Sequence, residues 1–336
     1  MSKVDTPRAE TKAVARPSRA GVLRRQLQQF LAFASLVVLM AFFSIANANF
    51  LTWSNISGIL LSTAVIGILA LGTTFVIITG GIDLSLGTGM TLASVMTGVF
   101  LVNLGLPLIV GVIGGILTGA LMGMINGFNV AVLKIPPFIA TLAMMLIAQG
   151  LALVISGAAP IYFSAVPGFT DIAMGSLIPG TRLPTAVLIL FALTVIAAVI
   201  LGKSILGRYT FSIGSNEEAT SISGINVRKW KILIYTLSGA FTGIAGVVIA
   251  SRLNSAQPAL GLGYELQAIA AVVIGGTSLQ GGKGSVIGTI IGALIMGVLT
   301  NGLRIMSIPQ EWQTVVVGVV ILVAVYTDIL RRGKGA

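Results

Sequence analysis

Long apolar runs, broken by short polar stretches, set the pattern of this chain. They fall at Phe30–Ile45, Ile56–Thr79, Leu84–Val102, Leu108–Leu133, Phe138–Ile155, Pro184–Leu201, Ile232–Ser251, Glu265–Leu279, Ser285–Leu303 and Trp312–Ile329. Several approach the ~20 residues that a helix needs to cross a bilayer core. The polar/apolar alternation of a transmembrane β-strand is missing, because the runs are continuous. The pattern predicts an all-α polytopic membrane protein of about ten spans. The shortest run, Glu265–Leu279, is expected to be tilted, broken or re-entrant.

The polar stretches give this chain of spans an orientation. Residues 1–26 hold Lys3, Arg8, Lys12, Arg16, Arg19, Arg24 and Arg25 among prolines and small polar residues, which reads as a disordered cytoplasmic tail. The basic start, the apolar run and Ala46-Asn47-Ala48 resemble a signal peptide with its cleavage site. The long tail and the bulky Phe, Leu and Met content favour an uncleaved anchor. Asn47–Asn55, with Trp53 at the interface, then forms a short outer loop. Ten spans that start inside return the C-terminus to the cytoplasm. In that frame Lys134, Lys203, Arg208, Arg228, Lys229, Lys231, Lys283, Arg331, Arg332 and Lys334 join the tail inside, and only Arg182, Arg252 and Arg304 fall outside. An excess of Lys and Arg on one side marks the cytoplasmic face. The resulting organisation is a tail (1–26), one membrane domain (27–331) with a cytoplasmic loop at 203–231, and a short C-terminal tail (332–336).

The stretch Leu206–Lys231 interrupts the apolar pattern most clearly. Ser215-Asn216-Glu217-Glu218 reads as a capping box, with Ser215 accepting from the Glu218 amide and Glu218 reaching back to Ser215. Gly224 stands where a helix C′ residue takes positive φ. The expected element is a two-turn helix, Asn216–Ser223, too short to be stable without tertiary contacts. It is either a solvated connector or a docking element. At the other face, Gly157–Leu183 is the longest outer segment, with Pro160, Pro167 and Pro179, and reads as a lid, a docking face or a crossover.

An internal repeat runs through the spans. Gly111, Gly115, Gly119, Gly123 and Gly127 recur every four residues, and Gly284, Gly288 and Gly292 do the same 173 residues on. Pro136 and Pro309 keep that offset, and Gly81–Leu84 is weakly echoed by Gly263–Leu266. The two stripes lie on spans four and nine, which cross in opposite senses, so spans two to five and seven to ten form an inverted repeat. Glycine stripes let helix backbones approach closely, and packing is their expected role.

Composition narrows the chemistry. The chain is 56% hydrophobic and 9% charged, and a net charge of +11 distributed in this way follows from membrane orientation rather than nucleic-acid binding. It has no cysteine and no histidine, so thiolate and imidazole chemistry are excluded. Gly275–Gly284 resembles a phosphate loop but has Gly284 where Ser or Thr must follow Gly-Lys. Gly202-Lys203-Ser204 has that ending but Ala197 in place of the first glycine. If ATP drives this chain, another subunit binds the ATP and its Mg. Asp83 and Glu265 are acids between apolar runs, either functional groups of a path or caps of helix starts. Asn126, Gln149, Asn254, Gln257, Gln267 and Asn301 lie within or beside spans. Such amides suit a neutral hydroxylated solute or serve as interhelical glue.

Several motifs are similar to one known family. Gly80-Gly-Ile-Asp-Leu-Ser85, Phe138-Ile-Ala-Thr-Leu142, Gly207-Arg-Tyr209, Gly214-Ser-Asn-Glu-Glu-Ala219 with Ser223-Gly-Ile-Asn226, Ser251–Pro258 and Tyr264–Leu279 resemble the permease subunit of ribose-type sugar ABC importers. The likeness covers about residues 50–330. It implies two permease copies around a path, cytoplasmic ATPase domains, a periplasmic sugar-binding protein, and alternating access in the inner membrane. Gly214, Ser215, Asn216, Glu217, Glu218, Ala219, Ile222 and Gly224 fall on the family's coupling segment, which gives the capped helix an ATPase partner. Glu217-Glu218-Ala219 stands where relatives often have Glu-Ala-Ala, and Gln267 where an acid is common, which leaves the substrate open: a pentose or hexose, ribose-like first, or a furanose signalling molecule. The competing class is an ion-coupled secondary transporter, which needs intramembrane carboxylates or a histidine. This chain offers only Asp83 and Glu265. An integral-membrane enzyme lacks any catalytic constellation.

Overall fold

A computed structural model describes residues 19–177 and 183–333, with side-chain surroundings for 30–177 and 183–326. Its helices are α1 (Arg19–Ala46), α2 (Trp53–Ile78), α3 (Leu86–Gly98, continued by a π-helical turn Val99–Asn103), α4 (Leu108–Ala131), α5 (Pro137–Ser156), α6 (Asp171–Met174), α7 (Thr185–Lys203), α8 (Ile205–Ser215), α9 (Glu217–Ile222), α10 (Val227–Leu253), α11 (Tyr264–Ile274), α12 (Val286–Ile305) and α13 (Gln310–Gly333). Two short strands, β1 (Ile161–Tyr162) and β2 (Ser255–Ala256), complete the described elements. Seven helices are long and apolar enough to cross a membrane, and α1, α11 and α13 supply three shorter apolar stretches. The fold is all-α and polytopic.

Two expected boundaries move. Residues 1–18 and 334–336 lie outside the described residues, but α1 already begins at Arg19, inside the segment expected to be a tail. That run carries Leu, Arg and Gln, which favour helix, and no proline after Pro17. In the second half, α11 has 11 residues. At about 1.5 Å per residue it spans roughly 16 Å, about half of a ~30 Å bilayer core.

α2 stands at the centre, with α7, α10, α11 and α12 packed on it. In its most apolar stretch 94% of residues are buried, against 28% for each of α4, α5 and α7. Apolarity therefore separates membrane from water but not protein from lipid. α2 is buried because four helices surround it, and small residues (Ala64, Gly67, Ala70, Gly72) let them approach closely.

The packing carries the internal repeat. α4 packs on α3 and α10, as α12 packs on α11 and α2; α5 packs on α3, as α13 packs on α11. Exchanging α2–α5 with α10–α13 preserves each pairing. Lys134 and Ser307, also 173 residues apart, both take left-handed backbone conformations (φ 56° and 57°) two residues before Pro136 and Pro309. Positive φ is uncommon outside glycine, so a shared pair of such turns is a specific signature.

The glycine stripe of α4 lies along this seam. A Cβ on Gly119 would collide with the backbone of Gly239 and Gly243, and one on Gly123 with the Tyr235 carbonyl. Gly115 meets Thr97 and Val247, and Gly111 meets Leu101. On α12, Gly288 presses against the carbonyl of Gly275, just past α11, and Gly292 against that of Ala271 within α11. Gly284 precedes α12 and faces Ile78 and Thr277, so it belongs to a turn rather than to the helical stripe.

The bundle has two distinct ends. The C-termini of α2 and α8, α9, the start of α10 and the 278–284 turn share one of them. Arg304 lies at the other, where Asn47 at the end of α1 donates to the Ile305 carbonyl (3.1 Å). There the segment after α5 is folded onto α10. β1 pairs with β2 in the register Ile161↔Ala256 and Tyr162↔Ser255. Phe163 and Phe169 stack at 4.0 Å. Ser251 donates to the Phe169 carbonyl (2.7 Å) and accepts from the Ala173 amide (2.9 Å). Pro179 and Arg182 lie outside the described residues.

Candidate functional site

The loop expected to hold one short helix holds two. Ser204 caps α8 by accepting from the Gly207 amide (3.2 Å). α8 then runs through Ser215, so Ser215 is not the N-cap of the next helix. Asn216 takes that role: its backbone is extended (φ −160°, ψ 104°), and its Oδ1 accepts from the Ala219 amide at 2.9 Å. Glu218 consequently sits at the second helical position rather than the third. Ser215 and Asn216 are both good caps. The continuation of α8 decides between them, because a residue inside one helix cannot begin another.

α9 is held at both ends. Gly224 takes φ 84° and donates to the Ser221 carbonyl (3.0 Å), as a C′ glycine does. Lys231 of α10 pairs with Glu217 at 2.6 Å, and Asn226 caps α10 by accepting from the Lys229 amide (3.1 Å). Tyr209 meets Trp230 edge-on at 4.8 Å, fixing α8 to α10. The outer face of α9 stays bare. Glu217, Glu218, Ala219 and Ser221 are exposed, and the Ile222 side chain is 81% exposed. An aliphatic side chain at the tip of a rigidly held helix, beside two acids, presents a compact surface for a partner.

Behind α9, Gly214 makes a backbone junction. A Cβ there would collide with the Ile78 carbonyl and approach the Gly282 amide to 2.6 Å. Gly282 itself donates to the Ile78 carbonyl (2.8 Å). The end of α8, the end of α2 and the turn between α11 and α12 thus meet with no side chain between them. Only glycine fits at position 214.

The remaining sequence candidates are spread over several places. Asp83 and Asn126 come together: Asp83 Oδ1 accepts from the Ser85 amide (2.9 Å) and hydroxyl (2.6 Å), and Asn126 donates to Ser85 Oγ (2.8 Å). Asp83 precedes the N-cap of α3 by two residues, so it ties a turn rather than capping the helix. Glu265 does close its own helix start, both oxygens accepting from the Gly263 amide (3.0 and 3.1 Å). Gln257 lines a cleft of about 550 Å³ near the β1–β2 end, where it donates to Ser255 (3.0 Å); Gln149 lies in a closed niche beside it that shares Pro258 and Ala259. Thr88 and Thr91 of α3 line the same niche as Gln149. They went unnoticed in the sequence because hydroxyls in an apolar run carry no charge signal. No charged side chain lines this cleft among the described residues. Asn254, next to β2, and Asn301, on α12 opposite Gly58, each bury an unpartnered amide oxygen. Gln267 is half-buried on α11 and joins neither group.

Residues 55–325 match the family described as the branched-chain amino acid transport system permease component. The chain belongs to that permease family. It is a membrane permease component, not an enzyme. The ribose import permease protein RbsC of Escherichia coli strain K12 is 43% identical over 298 residues, covering 88% of this chain and 91% of the relative. RbsC of Bacillus subtilis strain 168 is 44% identical over 90% of this chain and 93% of the relative. The xylose transport system permease protein XylH of Haemophilus influenzae is 35% identical, with 92% and 98% covered. No solved structure matches the permease.

Proposed function

We propose that this permease is the membrane subunit of an ATP-driven, binding-protein-dependent importer of a sugar, a ribose-like pentose before a hexose. The observation that carries the reading is similarity along nearly the whole length of ribose import permeases. The family description also names branched-chain amino acids, which are zwitterions and need charged partners. The cleft offers Gln257 and Ser255, with Gln149, Thr88 and Thr91 in the niche beside it, amides and hydroxyls suited to neutral hydroxyl groups. α9 is the surface on which a cytoplasmic ATPase docks. ATP binding closes the ATPases and moves α8–α9. Two permease copies then rock about a shared path. A periplasmic binding protein delivers sugar at the β1–β2 end. Lys231, Arg208 and Lys283 support a cytoplasmic α9 end by the positive-inside rule, and with it cytoplasmic termini and membrane lipid around the bundle.

Proteoliposomes containing the permease, its ATPase and its binding protein test this reading. Ribose uptake is expected to need ATP hydrolysis and to survive ionophores. Uptake by the permease alone, driven by an ion gradient, would replace this reading with secondary transport.

A further inference from the structure

The connection between α2 and α3, Thr79–Ser85, joins two arrangements that the transport cycle must link. At one end it begins beside the Gly214 junction, where Gly80 (φ 79°) faces Gly281. At the other it is gripped by three helices. Asn126 of α4 donates to Ser85 Oγ (2.8 Å), and Leu84 donates its amide to Thr141 of α5 (3.1 Å). Tyr235 of α10 lies with its hydroxyl against Gly81. At the centre is Asp83, buried, with Oδ1 occupied by Ser85.

Two polar atoms around this carboxylate are buried without a hydrogen-bond partner: Tyr235 Oη and Asn126 Oδ1. The Tyr235 hydroxyl lies against Gly81, two residues from Asp83. Tyr235 is a donor without an acceptor, and Ser85 occupies Oδ1 of Asp83. Groups left unpaired in one arrangement favour any other arrangement that pairs them. The α4–α10 seam is where such a change is cheap, since Gly119, Gly123 and Gly239 leave it smooth.

We propose that Asp83 is a positioning residue that couples the ATPase-facing helices to the path. It holds Ser85 and α4 in this conformation and accepts from the Tyr235 hydroxyl in the opposite one. Movement of α8 at Gly214 displaces the Ile78–Gly80 backbone, and the connection transmits it to Asp83, which exchanges partners between α4 and α10. The proposal rests on the importer reading, and deepens it by naming the residue through which ATP hydrolysis and sugar movement stay in step.

The test uses the full transporter, reconstituted with ATPase and binding protein, and reads sugar moved per ATP hydrolysed. Asp83→Asn and Tyr235→Phe are each expected to lower that ratio about tenfold, the scale of one hydrogen bond to a charged group, while the ATPase still copurifies. Asp83→Glu, which keeps the carboxylate, is expected to recover part of it. If Asp83→Asn fails to insert, Tyr235→Phe decides, because it removes one hydroxyl and leaves the packing intact. An unchanged ratio in Tyr235→Phe overturns the proposal. So does a parallel fall of uptake and hydrolysis, which marks a structural role. A wild-type transporter that shows no ATP-dependent uptake overturns the importer reading instead.

Discussion

Lys231 and Glu217 pair at 2.6 Å across the turn between α9 and α10. The pair is lopsided: the lysine side chain is 14% exposed and the glutamate 54%. An exposed pair of this kind contributes ~0–1 kcal/mol. It orients α9 more than it stabilises the bundle. Glu218, one residue on, has no such internal duty, so the two acids separate structure from docking. Glu217→Gln is expected to leave melting temperature and ATPase association close to wild type. Glu218→Lys is expected to insert normally, lose ATPase copurification and abolish uptake. Normal transport by Glu218→Lys would remove α9 from the coupling path.

The glycine seam gives a stability prediction with an internal control. Gly119→Ala sets a methyl group against the backbone of Gly239 and Gly243. Overpacking of this kind costs ~1–3 kcal/mol. Gly150 of α5 has open space around it, and alanine there gains helix propensity of up to ~1 kcal/mol. Melting in detergent is expected to fall for Gly119→Ala and to hold or rise for Gly150→Ala, with sugar preference unchanged in both. A change of preferred sugar in Gly119→Ala would make the stripe part of the path.

The cleft makes a separate demand. Gln257→Ala removes an amide from its wall and Gln149→Ala one from the adjoining niche, and a hydrogen bond to a neutral group is worth ~0.5–1.5 kcal/mol. Uptake at low sugar is expected to fall a few-fold while the ATPase stays bound. Unaltered uptake in the double variant would show that the path runs elsewhere.

Orientation is checked by reporter fusions. Those at Ser176 are expected to report the outside and those at Ser221 the cytoplasm. The same side for both contradicts the ten-span topology.

Much of this architecture was legible in the sequence, because bilayer physics allows few alternatives. Continuous apolar runs located the helices, and glycine spacing together with Pro136 and Pro309 located the repeat. Three features were hidden. α8 escaped notice because Ser204, its cap, reads equally well as the end of α7. The start of α9 was displaced by one residue because Ser215 and Asn216 cap equally well until α8 is known. The Ser85–Asn126 bond joins residues 41 positions apart, a contact that no local pattern encodes. α11 was expected to be irregular, but its length was set by where Gly275 must approach Gly288.

The central claim is that α9 is the contact through which a cytoplasmic ATPase drives this permease. The chain has no cysteine, so Ile222→Cys supplies a single attachment point for a thiol-directed photocrosslinker. In membranes that also contain the ATPase, Cys at position 222 is expected to crosslink to it, and a membrane-impermeant thiol reagent added outside intact cells is expected not to block the reaction. Labelling of that cysteine from outside, or crosslinking to an extracytoplasmic protein, would contradict the account.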